Sequence, residues 1–446
     1  MPTQAPTAHR PHAHHGPLTV GVATLGLTLA AVASSQTQQN NNNLRIQQHP
    51  LQNGVHTQPN HLALLTTNQA KLVQSQNFIG HPGPPGSTEI QTHNGSIVRK
   101  SADGQIIDVR VPRTGMVIHH GLDGSRHVMV EQPDHSRIYA ASRGVSYVQH
   151  PFTVGGRTYD HRTFAVQGQL FHQVYRPYTY GGQTLDAYAT TRFYSPQFYR
   201  WATSRMAATS FSWGFVTNPP PWYGYYRGYF VPDANYTNPL LWLTDFMLAS
   251  SLAISYRTEP PTAPPAPASD AAPVITPQVK QMLADEVGRQ VKQESAEAQA
   301  NAQNRDIPPA SGSIVQELSD GQEHVFVVAS DLDLVDGTGR RCMISEGDVV
   351  DVKSAVDASS STALAVVLAS KGFGECERAA QVPITVSDLQ EMQNHMRETI
   401  DQGMANTAAG KKAQTVTPAF AASTPPPDTN AAREIEQQQK IAAAEG

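Results

Sequence analysis

Seven histidines crowd one stretch of the chain: His119, His120, His127, His135, His150, His161 and His172. Imidazole is the commonest protein ligand for transition metals, and its charge changes near neutral pH. If Asp123-Gly124 is the centre of a two-residue hairpin turn, His120 faces His127 across the two strands. Asp134 is then a carboxylate that completes a set of three. His120, His127 and Asp134 are therefore a candidate metal site, suited to a metal-binding protein or a metal-dependent hydrolase. The competing reading is an ordinary cross-strand pair that stabilises a sheet, and no H-E-x-x-H spacing sharpens the metal reading.

Other chemistry is thinly represented. There is no G-x-S-x-G, no Walker loop and no dinucleotide fingerprint. Asp331, Asp333 and Asp336 before Gly337 lack the spacing and the closing Glu of a calcium loop. Asp134, Asp160 and Asp186 recur with a repeated segment, which points to a turn role. No catalytic residue is assigned and no cofactor is expected. Cys342 and Cys376 are the only two cysteines. His324 is the one histidine in their region, too few ligands for zinc, so a disulfide is expected.

An aromatic belt runs from Phe164 to Phe230 and includes FYSPQFYRW, FSWGF and PWYGYYRGYF. Trp and Tyr rings offer flat apolar faces with a polar edge, suited to stacking on sugar rings or on a protein partner. Trp201, Trp213, Trp222, Tyr223, Tyr225, Tyr226 and Tyr229 are the candidate ligand-binding residues. The alternative is that the same rings form the core of a β domain poor in Leu and Ile.

The elements that must position these residues are mainly short strands. IVRKSADGQIIDVRV and MVIHHGLDGSRHVMV each place an Asp-Gly pair between apolar runs, a hairpin signature. HPFTVGGRTYD (150–160) matches RPYTYGGQTLD (176–186) at an offset of 26 residues, so a repeated hairpin with a Gly-Gly turn is expected. PLLWLTDFMLASSLAI (239–254) reads as a buried helix, apolar nearly all round except for Asp245. A second helix starts at Pro277 behind a Thr276 cap and connects to the next module, with Val279, Met282, Leu283 and Val287 as its stripe. Short strands over 313–385 predict a small SH3-like barrel. A helix capped by Ser387, with Gln390 three residues on, buries Leu389, Met392, Met396 and Ile400 against it.

Composition sets the broad class. The 446 residues carry 32 Lys+Arg against 37 Asp+Glu, a formal net charge of -5, which gives no global field for nucleic acid or an anionic membrane. Residues 18–32 form a short apolar run ending near Ala31-Val32-Ala33, which reads as a secretory signal, with a retained anchor as the alternative. The run is shorter than the roughly 20 residues of a bilayer-spanning helix. No integral membrane span is therefore expected in the mature chain.

PDHSRIYA, RGVSYVQHPF, PWYGYYRGYF, LWLTDF and DLQEMQNHMRETIDQG together resemble a family of exported bacterial envelope proteins. The resemblance extends from about Ser96 to Gly403. It implies an envelope location but no activity and no catalytic residues. The paired Gly-turn hairpins are also faintly similar to the YD-type repeats of secreted wall-associated proteins, although Tyr159-Asp160 becomes Leu185-Asp186 in the next copy.

The resulting expectation is an α+β, mainly β protein. Its layout is a signal peptide (1–33), a disordered Gln/Asn-rich segment (34–88) and an aromatic β-hairpin domain with a packed helix (89–257). A Pro/Ala linker (258–274), a helix and connector (275–312), a disulfide-clamped small barrel with a C-terminal helix (313–405) and a disordered tail (406–446) follow. The function expected is a non-enzymatic, periplasmic or secreted structural or binding protein. Its partner would be cell-wall or extracellular polysaccharide, or an envelope protein. Besides the metal reading, a subunit of a larger envelope assembly is the other alternative.

Overall fold

A computed structural model describes residues 18–20, 71–73, 83–84, 86–166, 168–205, 211–213, 219–236, 238–258, 273–353, 356, 362–372 and 374–445, with backbone alone at 18–20, 71–73, 211–213, 258 and 445. The expected signal, Gln/Asn-rich segment and Pro/Ala linker lie almost wholly outside these residues. Of the apolar run only Leu18–Val20 is described, as a short strand parallel to Phe211–Trp213.

The protein is α+β with mainly antiparallel strands and, among the described residues, eight α-helices: α1 (Pro196–Ala202), α2 (Pro221–Tyr226), α3 (Pro239–Thr258), α4 (Pro277–Ala302), α5 (Ile314–Glu317), α6 (Val386–Lys411), α7 (Ala419–Ala422) and α8 (Ala431–Glu445). None is long and apolar enough to cross a membrane. The chain divides into two compact units. Of the described residues, the larger holds those within Met1–Thr24, Pro151–Arg162 and Gln173–Pro426, and the sheet unit those within Leu25–His150, Thr163–His172 and Pro427–Gly446. These units depart from the expected domain boundaries, because α3 on one side of the 258–274 linker packs against α4 and α6 on the other.

In the sheet unit, successive strands from Thr88–Gln91 to Ser146–Val154 pair antiparallel with their neighbours in chain order. Their alternation puts two different rows on the two faces. One row is apolar across six strands: Ile90, Val98, Val109, Ile118, Val128 and Ala140 are consecutive cross-strand partners. Helix α8 covers this face with Ala431, Ile435 and Ala442. The expected disordered tail is thus corrected: α8 supplies the second layer that a one-sided sheet needs to bury its apolar face.

The hairpin loops hold one residue more than the Asp-Gly signature predicts. Gly121 N–H donates to Ser125 O and Gly124 N–H to Gly121 O, each at 2.9 Å, leaving Leu122, Asp123 and Gly124 as a three-residue loop. Gly124 takes φ 79°, and the Asp123 carboxylate accepts from Ser125 N at 2.8 Å. This is a type I turn followed by a left-handed residue, not a two-residue turn. His135, at φ 66°, fills the left-handed place in the loop after Gln132. Gly95, Gly115, His135 and Gly155 follow one another at twenty-residue steps, and so do Gly104, Gly124 and Gly144.

The larger unit is built around three helices. Helix α3 is buried almost all round, and one oxygen of its Asp245, Oδ2, accepts from Lys280 Nζ at 2.9 Å, Asp233 N at 2.9 Å and the Tyr236 hydroxyl. Helix α4 begins as expected, the Thr276 hydroxyl accepting from Val279 N. It is not a surface connector, however: Glu286, Gln290, Glu294 and Glu297 are buried along it beside Val279, Leu283, Val287 and Val291. Arg176 and Arg397 meet the two oxygens of Glu297 at 2.7 and 3.0 Å. Helix α6 buries Leu389, Met392, Met396 and Ile400, but its cap is Thr385, whose hydroxyl accepts from Asp388 N, two residues before the expected Ser387.

The segment expected to be a barrel forms an antiparallel sheet in the order His324–Val327, Val349–Val352, Thr362–Ala369 and Gln381–Thr385, with a separate hairpin Leu332–Val335/Arg341–Ile344. Among the described residues these strands do not close into a barrel. The Cys342–Cys376 disulfide is present and buried.

Candidate functional site

The metal set expected from spacing is not assembled. The three-residue loop shifts the register by one position, so His119 pairs with His127 and His120 pairs with Arg126. Burial, then the neighbouring Arg126 charge, lowers the His120 pKa. Asp134 sits in the next loop, at the other end of the strand carrying His127. The four steps from His127 to Glu131 alone span about 13 Å of extended chain. There its carboxylate accepts from Ser136 N at 3.0 Å and Ser136 Oγ at 2.6 Å, a turn-building role.

Two other groups each bring three ligand atoms within 4.8 Å: His150, Asp428 and Glu434 in the sheet unit, and Glu286, Glu317 and His324 in the larger unit. In the second, His324 Nδ1 lies 3.0 Å from Glu286 and Nε2 lies 2.9 Å from Asp320. Burial works against charge on His324, but Glu286 and Asp320 outweigh it and raise the pKa. That fits a buried imidazolium among carboxylates better than a metal ligand, which must be neutral.

The belt residues are divided. Trp222, Tyr226 and Tyr229 are buried, so they serve as core. The Tyr226 hydroxyl meets Ser255 Oγ at 3.2 Å on α3, and the Tyr229 hydroxyl donates to Gly347 O at 3.1 Å. Trp201 is half-buried beside Phe198, with the Lys411 ammonium 4.4 Å from its ring centroid. Tyr223 and Tyr225 are half-buried on α2, and the Trp213 side chain lies outside the described residues.

A different row of rings occupies the second face of the sheet unit, the one opposite α8. It begins as an ionic ladder. Glu89, Arg99, Asp108, His119 and His127 are consecutive cross-strand partners. Arg99 donates to Glu89 at 2.9 Å and to Asp108 at 3.3 Å, and His119 Nδ1 lies 2.7 Å from Asp108. From His119 onward the ladder becomes aromatic. His119–His127, His127–Tyr139, Tyr139–Tyr147, Tyr147–Phe164 and Phe164–Phe171 have centroid separations of 6.1, 6.1, 5.5, 5.6 and 4.9 Å. His127 Nδ1 and Tyr139 Oη are 2.8 Å apart, and His127 Nε2 meets Ser125 Oγ at 3.1 Å.

Phe164 and His127 are buried, whereas His119, Tyr139, Tyr147 and Phe171 keep part of their surface exposed. Adjacent strands thus carry a continuous ribbon of rings with imidazole and phenol edges among them. Such a surface suits stacking on flat, partly polar ligands. Among its members only His127 belongs to the expected site residues, because the ribbon depends on strand register. No family model matches the chain, and no curated protein or solved structure matches it.

Proposed function

We propose that the protein is a non-enzymatic, extracytoplasmic binding protein of the cell envelope that engages cell-wall or extracellular polysaccharide. The contact is made through the ring ribbon of the sheet unit. The observation that carries this reading is the half-exposed run His119, Tyr139, Tyr147 and Phe171 on the face opposite α8. Tyr139 and Tyr147, the half-exposed rings that are direct neighbours, lie 5.5 Å apart, close enough for one sugar ring to touch both, with His119 and Phe171 flanking them beyond the buried His127 and Phe164. The twenty-residue spacing of left-handed loop residues supports a repeated hairpin, an architecture that extends a binding face strand by strand. The buried disulfide and the likeness to exported envelope proteins support the location.

The test is co-sedimentation of the protein with insoluble peptidoglycan and with exopolysaccharide, with and without chelator. Saturable, chelator-resistant retention is expected. The pair Tyr139→Ala and Tyr147→Ala should together weaken it roughly tenfold, at about 0.5–1.5 kcal/mol per stacked ring. Retention by neither polymer refutes the polysaccharide reading and directs the search to a protein partner.

A further inference from the structure

We propose that Lys371 and Asp348 are the two halves of an intramolecular isopeptide bond, with Glu375 as the group that handles the proton. Lys371 follows strand Thr362–Ala369 and Asp348 precedes the neighbouring strand Val349–Val352, where Val349 pairs with Ala369. Their side chains are 10 % and 0 % exposed, and Nζ lies 2.8 Å from Asp348 Oδ1. The ammonium is aimed by two backbone carbonyls, Ser345 O at 3.2 Å and Glu346 O at 2.8 Å. The carboxyl is fixed as firmly. Ser345 N donates to Oδ2 at 2.8 Å, and Lys371 N donates to Oδ1 at 3.1 Å. Both donors point at oxygens that become more negative when a nucleophile adds to Cγ, the arrangement that stabilises a tetrahedral intermediate. Glu375, 7 % exposed, places Oε1 at 3.9 Å from Nζ and is itself held by Gly372 N at 2.6 Å and Ser345 Oγ at 2.5 Å.

The step balances within the site. Glu375 takes a proton from the ammonium, the amine lone pair forms the C–N bond to Cγ, and a C–O bond of the carboxyl breaks. The leaving oxygen departs as water with the two protons that nitrogen gives up. Ammonium plus carboxylate becomes amide plus water, so no oxidant or co-reactant is needed. Condensation is unfavourable between free groups in water, but groups held in attack geometry gain effective molarities of about 10⁵–10⁸ M. Burial pushes the Asp348 pKa up against the pull of Lys371, while Asp348 and Glu375 hold Lys371 as the ammonium against burial, so the attack waits on the proton passing to Glu375. The product also removes two charges from a dry site, where an ion pair carries a large desolvation cost.

The test is mass spectrometry of a proteolytic digest of the full chain after complete reduction of Cys342–Cys376. A branched peptide joining the Asp348 and Lys371 segments, lighter by one water than their sum, is expected. It should be absent from Lys371→Arg and diminished in Glu375→Gln. Two separate linear peptides at full mass from the wild-type protein overturn the proposal, whatever the variants do. A water loss on the Asp348 peptide alone, persisting in Lys371→Arg, overturns it as well, since that marks a succinimide.

Discussion

Replacing Arg99 by Ala should cost the sheet unit about 3–5 kcal/mol, the usual penalty for removing one partner of a buried ion pair. Arg99 is 1 % exposed and stands between two carboxylates that are each 3 % exposed. Its Nε and Nη2 bond Glu89 Oε1 at 3.1 and 2.9 Å, and Nη1 reaches Asp108 Oδ2 at 3.3 Å. Without the guanidinium, Glu89 loses this partner, and Asp108 retains the His119 imidazole at 2.7 Å. All four tryptophans lie at positions assigned to the larger unit, so indole fluorescence does not report this loss. Peptide-resolved hydrogen exchange does. Protection of strands Ile97–Lys100 and Ile106–Val111 should fall by the full amount, and adding Glu89→Gln should restore part of it by removing a stranded charge. Protection unchanged to within about 0.5 kcal/mol would refute the view that this ladder holds the sheet together.

Three further outcomes are expected. Cys342→Ser opens a loop whose ends are 34 residues apart and should lower the larger unit's stability by on the order of 4 kcal/mol, read from urea midpoints by tryptophan fluorescence. His135→Gly should stabilise the sheet unit by about 1 kcal/mol, because a residue with a Cβ is held at φ 66° there, and a destabilised variant would assign the imidazole a role of its own. Burial holds the Glu398 carboxyl up to about 7, and burial with Glu286 does the same for Glu317. Since the native state binds these protons more tightly than the unfolded chain, the stability they confer is full below the ordinary carboxylate range and lost as pH rises through about 7. Melting temperature should therefore rise between pH 8 and pH 6, and Glu398→Gln should flatten that slope. Burial lowers His395 to about 4, so its contribution runs the other way and is lost as pH falls from about 6.5 towards 4.

The elements with strong local signals were legible in the sequence. The Asp-Gly pairs at 103–104 and 123–124 do sit in hairpin loops, Thr276-Pro277 does start a helix, and the two cysteines are bonded. Loop length was not legible, because Asp-Gly suits a two-residue turn and a type I turn with a following left-handed Gly alike. That one residue moved His119 into the place expected of His120 and dissolved the metal set. Helix α8 was hidden by its own composition: a face made of Ala431, Ile435 and Ala442 is too small-sided to stand out in an Ala/Gln-rich tail, yet it packs into the apolar row of the sheet. The belt around Trp222 left core and surface open, and only packing against α3 decides for core at Tyr226. Tyr139 and Tyr147 are eight residues apart in sequence and become neighbours only through pairing, so no local pattern exposes the ribbon.

The ribbon reading is tested most directly by following isotope-labelled tyrosine and phenylalanine ring resonances of the full chain while a soluble peptidoglycan fragment is added. Saturable shifts at Tyr139, Tyr147 and Phe171, with the buried Tyr226 and Tyr229 unmoved, are the predicted result. Shifts confined to Tyr223 and Tyr225 on α2, or none at saturating glycan, would contradict it.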